Sequence, residues 1–261
     1  QKCPAHWITR LQGIKDDNSR AWEVIVALAL LTRLPLPHAP KAAFARQAQA
    51  AWAFPLAGLA VACIAAVVGW VCMAAGLPVP VTAGLMLATL VVTTGAMHED
   101  GLADAADGFW GGFDPARRLE IMKDSHIGTY GVLALILGVG LRWMALSATL
   151  AVGVGPMVAA VVLSRGLLPA LMAWMPHARR TGLSHQVGRP SQGVALAALG
   201  IAVLLALVVA GWSVIWALVL AVVAVGGLAA LARAKIGGQT GDVLGAAQQL
   251  SELVILLVLL P

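Results

Sequence analysis

The chain has 261 residues, of which 60% are hydrophobic and only 11% are charged. A soluble domain carries about a quarter charged residues, so this composition excludes an ordinary soluble globular fold. The net charge is +5, but the basic residues form no stripe of the kind that binds nucleic acid. The three cysteines show no metal-ligand spacing. Continuously apolar stretches longer than about 18 residues recur along the chain, which predicts membrane-spanning helices and not a β-barrel.

The N-terminal part of the sequence divides into a polar and an apolar segment. Residues 1–20 are polar, mixed in charge and without the apolar centre of a signal peptide, and we interpret them as an extension, a tag-like scar or a misassigned start. Residues 21–261 are expected to form a single membrane-embedded domain. The apolar stretch 22–34 is short for a full bilayer and runs into Pro35 and Pro37, which stop a helix. It predicts a re-entrant or interfacial segment, with a short tilted span as the alternative.

Six longer apolar segments follow, and they group into three helical hairpins. The segments are 52–76, 79–97, 130–152, 156–175, 194–210 and 212–231. A last segment, about 243–260, is polar in its first half and predicts a weaker terminal span. We therefore expect an all-α fold, a polytopic integral membrane helical bundle of six to eight transmembrane or re-entrant helices.

The distribution of positive charge predicts the orientation of this bundle. The short hairpin turns contain no Lys or Arg, whereas the three long segments between and after the hairpins contain eight. These long segments are 98–129, 176–193 and 232–242. Because each hairpin returns to the same side, the long segments share one face, which the positive-inside rule makes cytoplasmic. We expect a multi-pass protein of the cell inner membrane with its polar site on the cytoplasmic face.

The most informative segment is HEDGLADAADG, residues 98–108, which carries Asp100, Asp104 and Asp107. Their spacing of i, i+4 and i+7 places three carboxylates on one face of a helix, where like charges repel. Hard divalent cations with oxygen ligands compensate such repulsion, and Mg²⁺ also leaves coordination positions open for substrate phosphates. The segment therefore predicts a Mg²⁺ site. A solvated acidic loop is the alternative, but acids at the end of an apolar span favour a functional site.

Basic residues near this segment predict a phosphate-binding wall. Arg117, Arg118 and Lys123 follow it directly, although Arg117 and Glu120 also fit a local salt bridge. Arg165 lies inside an apolar span, where a charge is costly unless it faces a cavity or an anionic partner. Carboxylates for a metal beside cations for phosphate are the composition that phosphoryl transfer needs.

Three further features indicate polar chemistry less specifically. Arg142 also lies within a span, and snorkelling or a structural ion pair explains it equally well. The glycine-rich stretch 237–242 opens the last helix and could hold phosphate on its backbone N–H groups, but it lacks the Lys-Ser/Thr ending of a P-loop. His98 fits a proton acceptor, a metal ligand or a structural residue.

Five segments of the chain, taken together and in order, resemble one enzyme family. They are TRLPLP (32–37), HEDGLADAADG (98–108), LEIMKDSHIGTYG (119–131), LSRG (163–166) and GGQTGDVLGAA (237–247). The family is cobalamin synthase, that is adenosylcobinamide-GDP ribazoletransferase or cobalamin 5′-phosphate synthase. The similarity runs from about Ala21 to the C-terminus and has no counterpart in residues 1–20.

The resemblance implies a Mg²⁺-dependent membrane phosphotransferase of the last stage of coenzyme B12 assembly, with residues 21–261 as its catalytic domain. Such an enzyme joins adenosylcobinamide-GDP to α-ribazole or its 5′-phosphate and releases GMP. These two substrates and the lipid bilayer are the expected partners, nucleic acid is not, and a homo-oligomer is left open.

The resemblance also implies roles for individual residues. Its acidic motif makes Asp100, Asp104 and Asp107 the metal ligands. The expected phosphate and substrate ligands are Arg117, Arg118, Lys123, Arg165 and Asp242. Asp107 or Asp124 is the first choice for a catalytic base and His98 the second. The chain departs from the family pattern at His126, where Arg is common, and at Gln249, where Glu is common.

Two other functions compete with this interpretation. A CDP-alcohol phosphotransferase of phospholipid synthesis has a similar acidic motif but would predict the spacing DGxxAR, and no Arg stands at that position after Gly101. A cation or metabolite transporter would predict acids in the middle of the membrane and inverted repeats, neither of which is evident.

Overall fold

A computed structural model describes residues 20–261, so the predicted extension 1–20 lies outside the described residues except for Arg20. Within 20–261 the regular structure is helical, and pairing of the β type is limited to one isolated bridge between His177 and Gln239. This confirms the prediction of an all-α fold.

The described residues form thirteen α-helices, numbered here in chain order. They are α1 Arg20–Leu31, α2 Lys41–Phe44, α3 Gln47–Ala50, α4 Phe54–Ala74, α5 Val79–Thr94, α6 Met97–Gly111, α7 Pro115–Ile121, α8 Thr129–Thr149, α9 Gly155–Trp174, α10 Leu183–Val187, α11 Gln192–Ala210, α12 Ser213–Ile236 and α13 Gly241–Val258. Short 3₁₀ turns at Ala51–Ala53 and Leu150–Val152 extend α4 and α8.

Six helical segments within residues 20–261 are long and apolar enough to cross a membrane. They are Gln47–Ala74, Thr129–Val152, Gly155–Trp174, Gln192–Ala210, Ser213–Ile236 and Gly241–Val258. The chain is therefore a multi-pass membrane protein of the predicted class. Helix α1 has 12 residues and is not among the six, and the choice between an interfacial or re-entrant segment and a short tilted span stays a prediction.

The predicted span 79–97 differs from the structure in one important respect. Helix α5 ends at Thr94, and α6 leaves it at an angle of 85°. The two helices are long and apolar enough to cross a membrane only when they are taken together as one bent pair. The bend lies at Gly95 and Ala96, whose φ angles of 66° and 55° are both left-handed. Glycine adopts this conformation freely and alanine only with strain. The acidic helix therefore runs across the end of the apolar span instead of continuing it.

Helix α9 lies at the centre of the bundle and packs against α4, α11 and α13. Helix α11 approaches α9 closely at Gly166, since a Cβ at this position would overlap the Cβ of Ala202. Small residues at helix interfaces are the usual means by which membrane helices approach each other.

The three long charged segments meet at one end of this bundle. Arg118 donates a hydrogen bond to the Lys235 carbonyl at 3.0 Å. The N–H of Gln239 donates to the Pro176 carbonyl at 2.8 Å, and the N–H of Ala178 donates to the Gln239 carbonyl at 2.9 Å. These bonds join 98–129 to 232–242 and 232–242 to 176–193, as the prediction of a shared face requires.

Candidate active site

The site is built on the crossing of α6 and α13 at this polar end. A Cβ on Gly101 would lie 3.1 Å from the Cα of Gly245 and 3.0 Å from the carbonyl oxygen of Asp242. The two backbones are therefore in close contact, and a side chain at either glycine would require the facing backbone to shift. The contact brings Asp100 on α6 and Asp242 on α13 to the same cavity.

Asp104 shows how strongly the acidic side chains act on one another. Asp104 lies on α6, which is not one of the six candidate membrane spans. The pKa of Asp104 is raised to about 7, first by burial and then by the negative charges of Asp100, Asp242 and Asp107. Two of these neighbours were predicted from the spacing along α6, and Asp242 joins them through the helix crossing. Arg179 lowers this pKa in part, so the site carries more negative charge than its own cation compensates.

The donor set fits a hard dication without being a closed metal cage. Among residues 20–261 there is no group of three or more His, Cys, Asp or Glu side chains that together could hold a metal ion. Mg²⁺ usually takes only one or two protein carboxylates and fills its other positions with water and substrate phosphates. The oxygens of Asp100 and Asp104, both facing one open cleft, meet that requirement chemically.

Asp107 is held differently from the other two aspartates. Its side chain is buried, and its carboxylate accepts hydrogen bonds from the N–H groups of Gly128 at 2.7 Å and Gly131 at 2.9 Å. These are N–H groups at the start of α8, where the helix dipole stabilises a negative charge. A Cβ on either glycine would collide with the carboxylate. Asp107 therefore fixes α6 to α8, and its roles as metal ligand and base stay predictions.

Two cavities flank α6, and Asp100 lines both. The first, of about 220 Å³, lies between α1, α6, α9, α10 and α13 and has mostly apolar walls. The second, of about 480 Å³, is a cleft between α6 and the loop that follows α7. We call them the apolar cavity and the polar cleft. Asp100 is therefore the acidic residue that borders both cavities.

The far wall of the polar cleft carries three of the residues that the sequence singles out, Lys123, Asp124 and His126. The His126 ring lies 2.7 Å from the Asp124 carboxylate, and both side chains are exposed. The hydrogen bond from His126 lowers the pKa of Asp124, and the same contact raises the pKa of His126. His126 thus keeps more positive charge than a free histidine would.

The other basic residues of this region have structural partners. Arg117 pairs with Glu120 at 2.7 Å on the exposed face of α7, so the local salt bridge is confirmed. Arg118 donates to the carbonyls of Gly112 and Lys235 and thereby ties α7 to α12. Their predicted phosphate contacts stay predictions, and Lys123 is the basic residue of this group that faces the polar cleft.

Arg142 and Arg165 belong to a buried polar network beneath the site. Arg142 donates to Glu99, Gln249 and Glu252, which confirms the structural ion pair and makes snorkelling wrong. Arg165 is 2% exposed and donates to Glu252 at 2.8 Å. The predicted anionic partner of Arg165 is thus found within the protein, so this geometry favours a structural role over phosphate binding.

The amide at Gln249 suits this network. Its oxygen accepts from Arg142, while its nitrogen donates to Glu99 and Gln248. Two arginines already balance the two carboxylates of Glu99 and Glu252, so a further carboxylate at this position would leave an excess negative charge.

Two more residues line the apolar cavity: Arg179, for which the sequence predicted no role, and His98, whose role as a base stays a prediction. Arg179 donates to the Asp242 carboxylate at 3.2 Å and stands at the polar rim of the cavity. His98 lines the cavity, is 2% exposed, and has two ring nitrogens without a hydrogen-bond partner among the described residues. Arg179 follows the central helix in a charged loop, and the sequence offered no signal for its partner.

Comparisons with known proteins agree on one family. The family model described as Cobalamin-5-phosphate synthase matches residues 23–260. A protein of Bradyrhizobium diazoefficiens named adenosylcobinamide-GDP ribazoletransferase is 46% identical over 241 residues, covering 89% of this chain and 91% of its own length. Proteins of the same name from Mesorhizobium japonicum and Rhizobium meliloti are 42% and 40% identical, covering 90% and 92% of this chain and 92% and 97% of their own lengths. No solved structure matches. The chain belongs to the cobalamin-5-phosphate synthase family.

Proposed function

We propose that this chain joins adenosylcobinamide-GDP to α-ribazole or its 5′-phosphate and releases GMP, as a Mg²⁺-dependent phosphotransferase of the inner membrane. The relatives' name supports this choice of substrates. The observation that carries the site assignment is the proximity of Asp100, Asp104 and Asp242 beside two cavities that Asp100 lines in common, with the raised pKa of Asp104 as its electrostatic signature. Nothing in this geometry favours a CDP-alcohol substrate or transport.

The reaction exchanges the phosphoanhydride bond of the donor for a phosphoester bond to the acceptor, so that the product is a phosphodiester. A ribazole hydroxyl attacks the phosphorus attached to the cobinamide side chain, its proton passes to a base or to water, and the bond to the GMP oxygen breaks. Asp100 and Asp104 would hold Mg²⁺, which supplies positive charge against the pyrophosphate oxygens. The protein contributes mainly by orienting the two substrates and by neutralising charge.

Cations of the chain stand on both sides of the acidic residues. Lys123 and His126 line the polar cleft, and Arg179 stands at the rim of the apolar cavity. We infer that these three side chains hold substrate phosphates. Asp124 then serves to raise the charge of His126, and its own lowered pKa makes it a weak base.

We also place the site on the cytoplasmic side. The three segments that carry eight Lys and Arg residues join at the end of the bundle that holds the cavities. The positive-inside rule assigns that end to the cytoplasm. Nucleotide-activated substrates are then supplied from the same compartment.

The test of the function is direct. Purified protein is incubated with adenosylcobinamide-GDP, α-ribazole and Mg²⁺, and GMP and the corrinoid product are quantified by chromatography. We expect equimolar formation of both, and none when a chelator replaces Mg²⁺. Folded protein that forms neither product would contradict the proposal, and GMP release without ribazole would indicate a hydrolase.

The apparent affinity for Mg²⁺ should depend on pH because a proton competes with the metal at Asp104. Its pKa of about 7 means that the carboxyl is protonated below that pH and must lose the proton to bind a dication. We expect the Mg²⁺ concentration for half-maximal turnover to rise up to about tenfold per pH unit below pH 7 and to level off above it. Mg²⁺ titrations between pH 5.5 and 8.5 measure this, and a constant half-maximal concentration would contradict the assignment.

A further inference from the structure

The apolar cavity has the walls of a binding site for a flat hydrophobic group. Leu30 and Leu31 of α1, Phe54 of α4, and Leu168 and Met172 of α9 line it. Its volume of about 220 Å³ is below the common range for drug-sized ligands, about 300–1,000 Å³. It therefore fits one ring system and is too small for a corrinoid.

His98 is a polar residue among those that line this cavity. The side chain is 2% exposed, and neither Nδ1 nor Nε2 has a hydrogen-bond partner among the described residues. Buried polar side chains nearly always have a partner, because an unsatisfied one loses its bonds to water without replacement. His98 therefore has unused hydrogen-bonding capacity beside the cavity that it lines, which a ligand with a nitrogen or oxygen can satisfy.

The other end of the cavity is polar. Asp100, Asp242 and Arg179 stand at its rim, and Asp100 also faces the polar cleft on the other side of α6. A ligand with an apolar ring inside the cavity would thus present its polar end to the acidic residues. The hydroxyl of such a ligand would lie where a phosphate in the polar cleft could be attacked.

We propose that the apolar cavity binds the benzimidazole base of the acceptor ribazole, with the His98 ring bonded to a nitrogen of that base. This assignment rests on the proposed function and specifies where its acceptor sits. The base is a flat, largely apolar ring system with nitrogen as its only heteroatom, which matches leucine and phenylalanine walls with one imidazole. Guanine would bring several donors and acceptors into walls that could satisfy few of them.

The position of Asp100 gives the proposal a mechanistic consequence. In-line phosphoryl transfer needs the attacking and leaving oxygens on opposite sides of the phosphorus. With the acceptor in the apolar cavity and the GDP end of the donor in the polar cleft, the reacting phosphorus lies between them beside Asp100. The two cavities thus separate the binding of acceptor and donor.

Filling the cavity tests the proposal through the acceptor KM. Leu30→Trp places an indole in the cavity, whereas Ile25→Trp, on the same helix and not among the cavity residues, is the matched control. We expect Leu30→Trp to raise the KM for α-ribazole at least about tenfold while the KM for adenosylcobinamide-GDP changes less than about twofold. Ile25→Trp should leave both within about twofold.

Removing the imidazole nitrogens tests the polar contact. His98→Phe keeps a flat ring and breaks no bond to a described residue, so the thermal midpoint should not fall, while the α-ribazole KM should rise roughly tenfold. Equilibrium dialysis of α-ribazole without donor or Mg²⁺ should show the same loss of binding. If wild-type protein turns over but both variants bind α-ribazole normally, the cavity assignment fails and the function stands. If wild-type protein binds α-ribazole but releases no GMP, the function fails instead.

Discussion

Asp104→Asn is expected to reduce the rate of GMP release by about two to three orders of magnitude, a loss typical of removing one key electrostatic contact from a reacting centre. The replacement removes one of the charges that would hold Mg²⁺ in the polar cleft and keeps the shape of the side chain. Because the ionised carboxylate at this position is repelled by Asp100, Asp242 and Asp107, its loss should not destabilise the fold. The measurement is the initial rate at saturating substrates, with the thermal midpoint recorded in parallel.

Asp114→Asn is the matched control for this variant. Asp114 is the N-cap of α7, where its carboxylate accepts from the N–H of Arg117, and it lies outside both cavities. Asparagine caps helices about as well as aspartate, so this change removes one negative charge without removing the cap. We expect a rate within about twofold of wild type. A full rate for Asp104→Asn, or an equal loss in both variants, would contradict the metal assignment.

The acidic helix shows what the local pattern predicts well. The spacing of Asp100, Asp104 and Asp107 requires only that the segment be helical, and α6 spans all three. The 85° bend before it could not be predicted, because Ala96 in a left-handed conformation contradicts the local preference of alanine. Surrounding contacts impose that conformation, and such contacts are not encoded in a window of neighbouring residues.

Ion pairs between residues of different helices could not be predicted from the sequence for the same reason. Arg165 is recognisable as a costly charge within an apolar span, but its partner Glu252 stands 87 residues away. Arg179 and Asp242 are separated by 63 residues and meet only because the loops after α9 and α12 pair through Gln239. A charged residue within an apolar segment indicates that a partner is needed, whereas the packing of the helices determines which residue is that partner.

Glu252→Leu is expected to destabilise the protein by about 3–5 kcal/mol, the range for removing one partner of a buried ion pair. Glu252 is 1% exposed and accepts hydrogen bonds from both Arg142 and Arg165. Without it, Arg142 keeps the carboxylate of Glu99, whereas the buried Arg165 loses its carboxylate partner among the described residues. The measurement is unfolding in detergent with increasing SDS, together with the yield of monodisperse protein.

The neighbouring Ser251 provides a matched control at an equally buried position of the same helix. It is fully buried, and its hydroxyl donates to carbonyls of its own helix, so Ser251→Ala should change the unfolding free energy by less than about 1 kcal/mol. A double-mutant cycle with Arg142→Met should give a coupling energy of about 0.5–3 kcal/mol, because Arg142 and Glu252 share one network. Additive losses, or a Glu252→Leu protein as stable as Ser251→Ala, would mean that the network does not hold these helices together. Since Glu99 belongs to this network and precedes Asp100 on α6, the same ion pairs also fix the start of the acidic helix.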